Sequence, residues 1–447
     1  MITRFRKTGW LLLLALFPFV GKGQKTDTLQ VNLETAIQVA LSDNPMIHIA
    51  GQEIKRVDYS KKEAFYGILP SLTASGQYSK VLVSQTMSFA GMVIKMPTDW
   101  NVNTSLQLSL PLFVPALWQA LQMTAIDMQV AVEKAQASKI TLRNDVTKAY
   151  YGVLLAQDSY ETLKSGLALT EEVYQQAKKR FDLGLGSELD AISAEVQMKN
   201  LLPSILEVEN GIEQVKMLLK MLMGIDITQP ILVTGNLIDY AIGIDNVTTP
   251  NLSLNENTDL RLLDIQNLKL QKALSIQRTQ RMPTLAAFAN YGYAGTANKA
   301  GPSFINPGMI APANTSWFSQ GMVAGLQMNI PLTSIFTNTV KEKQTIIQIK
   351  QLTTQRDYLK ESLNVQVRTA LNNMNNAVRQ AESAKNNEEL ALKGYNISMN
   401  RYESGLGIII EVQNASLALT QAQLSRRQAI ASYLNAKADY EKVIGSY

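Results

Sequence analysis

From Leu121 to Phe181 apolar residues recur in alternating steps of four and three, through Val132, Ala135, Leu142, Val146, Ala149, Val153 and Leu163, with only Lys139 and Thr170 interrupting the seam. That spacing predicts one helix of about eight heptads lying along neighbouring helices. The same register returns at Leu363, Val367, Ala370, Met374, Ala377, Ala381 and Ala384 and runs on to Tyr395 and Tyr402, now richer in alanine. The predicted long helices are 113–181 and 333–402, each reaching roughly 100 Å at about 1.5 Å per residue. Return helices are predicted over 187–223 and 408–443, and Pro203 should kink or divide the first of them.

Between these runs the period changes to two. Val102, Thr104, Leu106, Leu108 and Leu110 alternate with Asn103, Ser105, Gln107 and Ser109; Met322, Ala324, Leu326, Met328 and Ile330 alternate with Val323, Gly325, Gln327 and Asn329. Leu72, Ala74, Gly76 and Tyr78, and then Leu285, Ala287, Ala289, Tyr291 and Tyr293, predict two more strands of the same kind. About nine residues of alternation suits a tilted membrane strand with an apolar outer and a polar inner face, and equally suits a soluble hairpin with one buried face. Tyr78, Trp100, Tyr291, Tyr293, Trp317 and Phe318 lie where an interfacial aromatic girdle would sit. The connections, about 80–101 and 294–320, read as loops; the second is rich in Gly, Pro, Asn and Ser.

The chain is written twice. ILPSLTASGQYS from Ile68 pairs with RMPTLAAFANYG from Arg281, LSLPLF from Leu108 with MNIPLT from Met328, and RFDLGLGSELD from Arg180 with RYESGLGIIIE from Arg401. The markers keep their order and nearly their spacing, the signature of an internal repeat. The expected division is 24–225 for the first repeat, with a hairpin at about 70–111, and 251–447 for the second, with a hairpin at about 283–331. A linker over 226–250 joins them and holds one short strand at Ile231–Val233.

Composition narrows the compartment. Arg4, Arg6 and Lys7 precede an apolar run from Trp10 to Val20, and small residues follow, which predicts a signal peptide over 1–23. Its removal takes away Arg4, Arg6, Lys7 and Lys22, so 42 basic against 37 acidic side chains become 38 against 37. A nearly neutral mature chain gives no reason to expect nucleic acid as a partner. There is no cysteine and one histidine, His48, so disulfides, thiolate metal sites and histidine-based catalytic sets lack their parts. GKGQKT from Gly21 lacks the spacing of a phosphate loop. Met87, Met92 and Met96 share one loop and read as an apolar loop rather than a soft-metal site. No enzyme activity, cofactor or metal is expected. With no later run of about 20 apolar residues, any membrane insertion has to be as a barrel. Four strands cannot close one, so about three chains have to share it.

Signal peptide, paired halves, Pro-flanked hairpins, long heptad helices and the Gly-Leu-Gly turns together resemble the TolC-like outer membrane efflux protein family over residues 30–445. The resemblance implies an α+β membrane protein: a homotrimer sharing a 12-stranded β-barrel, four strands per chain, continued into the periplasm by a coiled-coil helical barrel. It implies an exit duct of a tripartite efflux or type I secretion system, with a periplasmic adaptor protein and an inner-membrane RND, ABC or MFS transporter as partners and outer membrane lipid around the barrel. It also implies that the turns Leu183, Gly184, Leu185 and Gly186, and Ser404, Gly405, Leu406 and Gly407, are adaptor-contacting tips. Asp190 and Tyr402 match an intraprotomer latch, and Glu411 an acidic ring at the aperture. Two positions depart: Gly407 replaces the latch arginine, and Asn414 the second ring acid.

Other readings stay open on the residues alone. The two glycines also suit helix C-termini, Ser187 and Asp190 have capping-box spacing, and Asp190 and Glu411 suit the positive end of a helix. An exported coiled-coil or adhesin-like protein would explain the heptads, though not the four strands. Drugs, metal cations and polypeptides are equally open as cargo.

Overall fold

The computed structural model describes residues 28–83, 86–89, 92–95, 99–241, 253–297, 304–306, 309–310 and 316–445. The expected signal segment 1–23 and Met96 lie outside these residues, and so do the side chains of Met87 and Met92.

The first half runs β1 (Leu29–Val31), α1 (Leu33–Asp43), α2 (Pro45–Tyr66), β2 (Ser71–Lys80), β3 (Thr86–Phe89), β4 (Met92–Lys95), β5 (Trp100–Phe113), α3 (Pro115–Asp182) and α4 (Glu188–Met223). The second runs β6 (Ile231–Val233), a short 3-10 turn (Leu237–Ala241), α5 (Thr258–Thr279), β7 (Thr284–Ala297), β8 (Phe304–Asn306), β9 (Met309–Ile310), β10 (Ser316–Asn329), α6 (Ser334–Glu403) and α7 (Ile409–Ile444). The long helices α3 and α6 have 68 and 70 residues, as the heptads require. Pro203 does not divide α4, which is helical on both sides of it. Its missing N–H removes one bond of the helical ladder and leaves the rest.

Four strands form one antiparallel sheet in the order β10-β7-β5-β2. Register brings all four apolar sets to one face. Leu72 faces Leu108, Leu108 faces Ala289 and Ala289 faces Ala324. Ala74, Leu106, Tyr291 and Met322 form the next row. The opposite face carries Ser75 and Ser105, whose hydroxyls are 2.7 Å apart. Leu72 is 65% exposed, Leu326 67% and Met322 72%, so one chain leaves the apolar face uncovered. The register shifts between Pro111 and Phe113, where Pro111 has no N–H for the ladder. β7 and β10 extend into the segment expected as loop, which also holds the short β8–β9 pair; a Gly-rich composition weakens strand preference without forbidding backbone pairing.

Along α3 and α6 the chain is mostly helix. α2 and α5 pack along their sheet-proximal parts, α4 and α7 along the distal parts. The seam follows that change of partners. From Ala135 to Ala177 the seam is buried or half-buried apart from Lys139, whereas nearer the sheet Val132 is 50% exposed and Ala131 and Glu133 are buried instead. The heptads of α6 are buried or half-buried from Leu363 to Tyr402.

The ends of the short and return helices meet at two equivalent joints. Asn44 caps α2 by accepting from Met46 N (2.8 Å) and donates to Leu222 O at the end of α4 (2.7 Å). Asn257 caps α5 by accepting from Leu260 N (3.1 Å) and donates to Val443 O at the end of α7 (2.8 Å). Opposite each stands a left-handed glycine, Gly224 (φ +73°) and Gly445 (φ +73°), where a Cβ would come 2.5 Å from the carbonyl oxygen of Asp43 or Glu256. The main core lies at this level, around Tyr150, Leu154, Leu219, Met223 and Val31. The linker docks there: β6 pairs in parallel with β1, Tyr150 donates to Thr234 O (2.6 Å), and Leu237 N donates to Asp158 Oδ2 (3.2 Å). Burial raises the Asp158 carboxyl above the usual range.

Candidate functional site: the Gly-Leu-Gly end

Each Gly-Leu-Gly segment closes a helical hairpin by the same hydrogen bonds. Leu185 N donates to Arg180 O (2.7 Å) and Gly184 N to Phe181 O (2.8 Å); Leu406 N donates to Arg401 O (2.8 Å) and Gly405 N to Tyr402 O (3.0 Å). These are the paired bonds of a Schellman ending, which places its glycine in the left-handed region. Gly184 has φ +71° and Gly405 φ +75°. Gly186 and Gly407 serve a different need, since a Cβ on either would press on the preceding turn at 3.1 Å. Leu183, Leu185 and Leu406 are left 63%, 68% and 76% exposed.

The turns part company at the following helix. Ser187 caps α4 by accepting from Leu189 N (3.2 Å), while Ile408 occupies the cap position of α7 with no side-chain bond. The capping role falls to Ser187 rather than Asp190, whose side chain makes no hydrogen bond among the described residues and lies in electrostatic contact with Tyr402. Tyr402 is 4% exposed, in a cluster with Val173, Ala177, Tyr395, Met399 and Val412. Burial raises its phenol above the ordinary range, and the Asp190 charge adds to this while Arg180 opposes it.

Glu411 lies in the first turn of α7, 3.9 Å from Arg401, and Asn414 is exposed one turn on. Steps of three and four from these two lead to Ala418, Gln421, Ser425, Gln428 and Ser432. Those five residues line a groove of about 890 Å³ whose walls also include Leu163 of α3, Val208 of α4 and Gln380 of α6. This concave face is walled by all four long helices, and the row beginning at Glu411 leads along α7 into it.

Sequence reading missed several features of this end. Leu189, Ile192, Val196, Ile408 and Ile410 are exposed and extend the apolar tips along the first turns of α4 and α7; the three- and four-residue spacing of Leu189, Ile192 and Val196 was the available signal. Gln413 Nε2 donates to Ser193 Oγ (3.1 Å), bridging α7 and α4. Among the described residues no group of three His, Cys, Asp or Glu side chains could hold a metal, and no helix is long and apolar enough to cross a membrane.

The comparisons agree with this architecture. The family model described as "Outer membrane efflux protein" matches residues 36–224 and 249–446. Outer membrane protein TolC of Escherichia coli K12 is 22% identical over 98% of this chain and 85% of its own, and that of Vibrio cholerae 21% over 84% and 87%. The solved structure of the outer membrane protein VceC of Vibrio cholerae superposes with a TM-score of 0.71 at 14% identity, over 92% of this chain and 96% of that one. The Campylobacter jejuni CmeC outer membrane channel gives 0.70 at 15%, over 93% and 85%. With both halves matched and the fold shared end to end, the chain belongs to the outer membrane efflux protein family.

Proposed function

We propose that this outer membrane protein is the exit duct of a tripartite efflux or type I secretion system, a passive tunnel closed at its Gly-Leu-Gly end and opened there by a periplasmic adaptor. The observation that carries the reading is the sheet. Four strands present an exposed apolar face and two unpaired edges, β2 and β10. Neither feature is stable in lipid unless the edges pair with other copies. Three chains would supply 12 strands, enough for a closed barrel with a polar lumen.

The helices continue that lumen. Glu411 and Asn414 stand at the distal end of the concave row, so a trimer carries one ring of three carboxylates there, with Asn414 adding no charge. Asp190 and Tyr402, one on each hairpin, stand beside that ring, with the Asp190 charge acting on the buried phenol. The exposed leucines of the turns, with Leu189 and Ile408 beside them, offer adaptor hairpins an apolar tip. The inner-membrane transporter, of the RND, ABC or MFS class, reaches the duct through that adaptor. Migration of the protein extracted from outer membranes tests the assembly: a trimer that dissociates only on heating is expected, and a soluble periplasmic monomer would refute the duct.

A further inference from the structure

Arg180, in the last turn of α3, lies against the end of α6. Its Nη1 donates to Tyr402 O at 3.0 Å and approaches Glu403 O at 3.5 Å. Its guanidinium carbon lies 5.0 Å from the centroid of the Tyr402 ring. Those two carbonyls are among the last four of α6, which lack partners within their own helix and carry its negative dipole end. The arginine thus caps a helix of the other hairpin while stacking on that helix's buried tyrosine.

Glycines lie at both ends of the Arg180 side chain, and the one at its root leaves it room. The turn folds back on its Cβ because Gly186 has none, with 3.1 Å to a built one, and the head rests by Gly405, 3.7 Å from the place a Cβ would take. Elsewhere at this end, the one side-chain hydrogen bond between the hairpins among the described residues is Gln413 to Ser193.

We infer that Arg180 is the bolt that keeps the tip of the second hairpin against the first, and that its release is what lets the tips separate. Arg180 is a positioning residue here, acting through Tyr402 and the end of α6 on the row that starts at Glu411. The inference rests on the reading of this end as a gate, and the test separates the two.

The cysteine-free chain allows spin labels at Asp182→Cys and Ser404→Cys, one on each tip, in the full-length trimer. Arg180→Gln should increase the population with separated tips about tenfold, the loss expected of one charge-assisted hydrogen bond and one cation–π contact. Tyr402→Leu, which keeps the carbonyl and removes the ring, should give a smaller increase in the same direction. Arg180→Lys should fall between wild type and Arg180→Gln, and it decides the question if the glutamine variant fails to assemble. Unchanged tip distances in Arg180→Gln, or in Arg180→Lys where it alone assembles, would overturn the inference. Conductance in planar bilayers should rise in parallel with the distances. Wild-type trimers that carry no current would count against the duct and leave the tip-distance result standing on its own.

Discussion

Near the sheet, α5 is tied to α3 by Lys269–Asp127 (2.6 Å) and Arg261–Glu133 (3.1 Å), and to α6 by Arg356–Asp264 and Arg278–Glu342, with Arg281 just past its end on the same Glu342. At the opposite end the polar links between the two hairpins, over the apolar cluster around Tyr402, are one guanidinium on α6's last carbonyls and one Gln413–Ser193 bond among the described residues. Exposed ion pairs are individually worth little, from zero to about 1 kcal/mol, but a row of them on both sides of α5 holds three helices in one arrangement. Two links can be undone together. The helical body is therefore a fixed frame below the sheet and a releasable pair of tips at its far end. Between the two, α7 crosses α3 so closely that a Cβ on Gly166 would come 2.7 Å from Thr420 Oγ1.

The largest effect should come from breaking the joints that anchor the frame. Gly224→Ala or Gly445→Ala puts a Cβ into a carbonyl oxygen at positive φ, and should lower stability by about 2 kcal/mol or more. Loss of the heat-resistant trimer at lower temperature would show it. Gly166→Val should come next, at about 1–3 kcal/mol for overpacking a close crossing. Because it pushes on α7 beside the concave row, it should also change single-channel current, which a purely local defect would not.

The ion pairs should show themselves through pH. Arg278 and Arg281 hold the Glu342 carboxyl below its usual value. A group depressed on folding stabilises the fold above its unfolded pKa and loses that contribution as pH falls through its folded value. Trimer heat resistance should thus decline in acid below the ordinary glutamate range of about 4.3, and Glu342→Gln should flatten that decline. The smallest effect is expected for Ser193→Ala, which removes one neutral hydrogen bond worth about 1 kcal/mol. It should leave trimer melting almost unchanged while making Arg180→Gln tips separate further.

Much of the frame was legible because it is periodic. The heptad seam, the four alternating strands and the paired turns each repeat a local rule, and Ile231–Val233 stood out as a short β-branched and apolar run between turn residues. What could not be read depends on partners far away in sequence. Asn44 and Leu222 are brought together by the return of α4, as are Asn257 and Val443 by α7; neither Asn-Gly joint has a local pattern. β1 is only three residues long and is defined by its partner. The seam slips at Val132 because α3 exchanges α4 and α7 for α2 and α5, a tertiary fact. At the Gly-Leu-Gly end, Asp190, Tyr402 and Glu411 were singled out by the family resemblance, while Arg180 was visible only as one of several cations in a helix's last turn, its target lying in the other half of the chain.

Single-channel recording with a trivalent cation added from the tunnel side tests most directly whether three chains share a barrel whose concave helical row ends in a carboxylate ring. The wild-type trimer should conduct, prefer cations and be blocked, and Glu411→Gln should conduct with the block largely lost. A protein that inserts and conducts with identical block after Glu411→Gln, or one that never forms a channel, would contradict it.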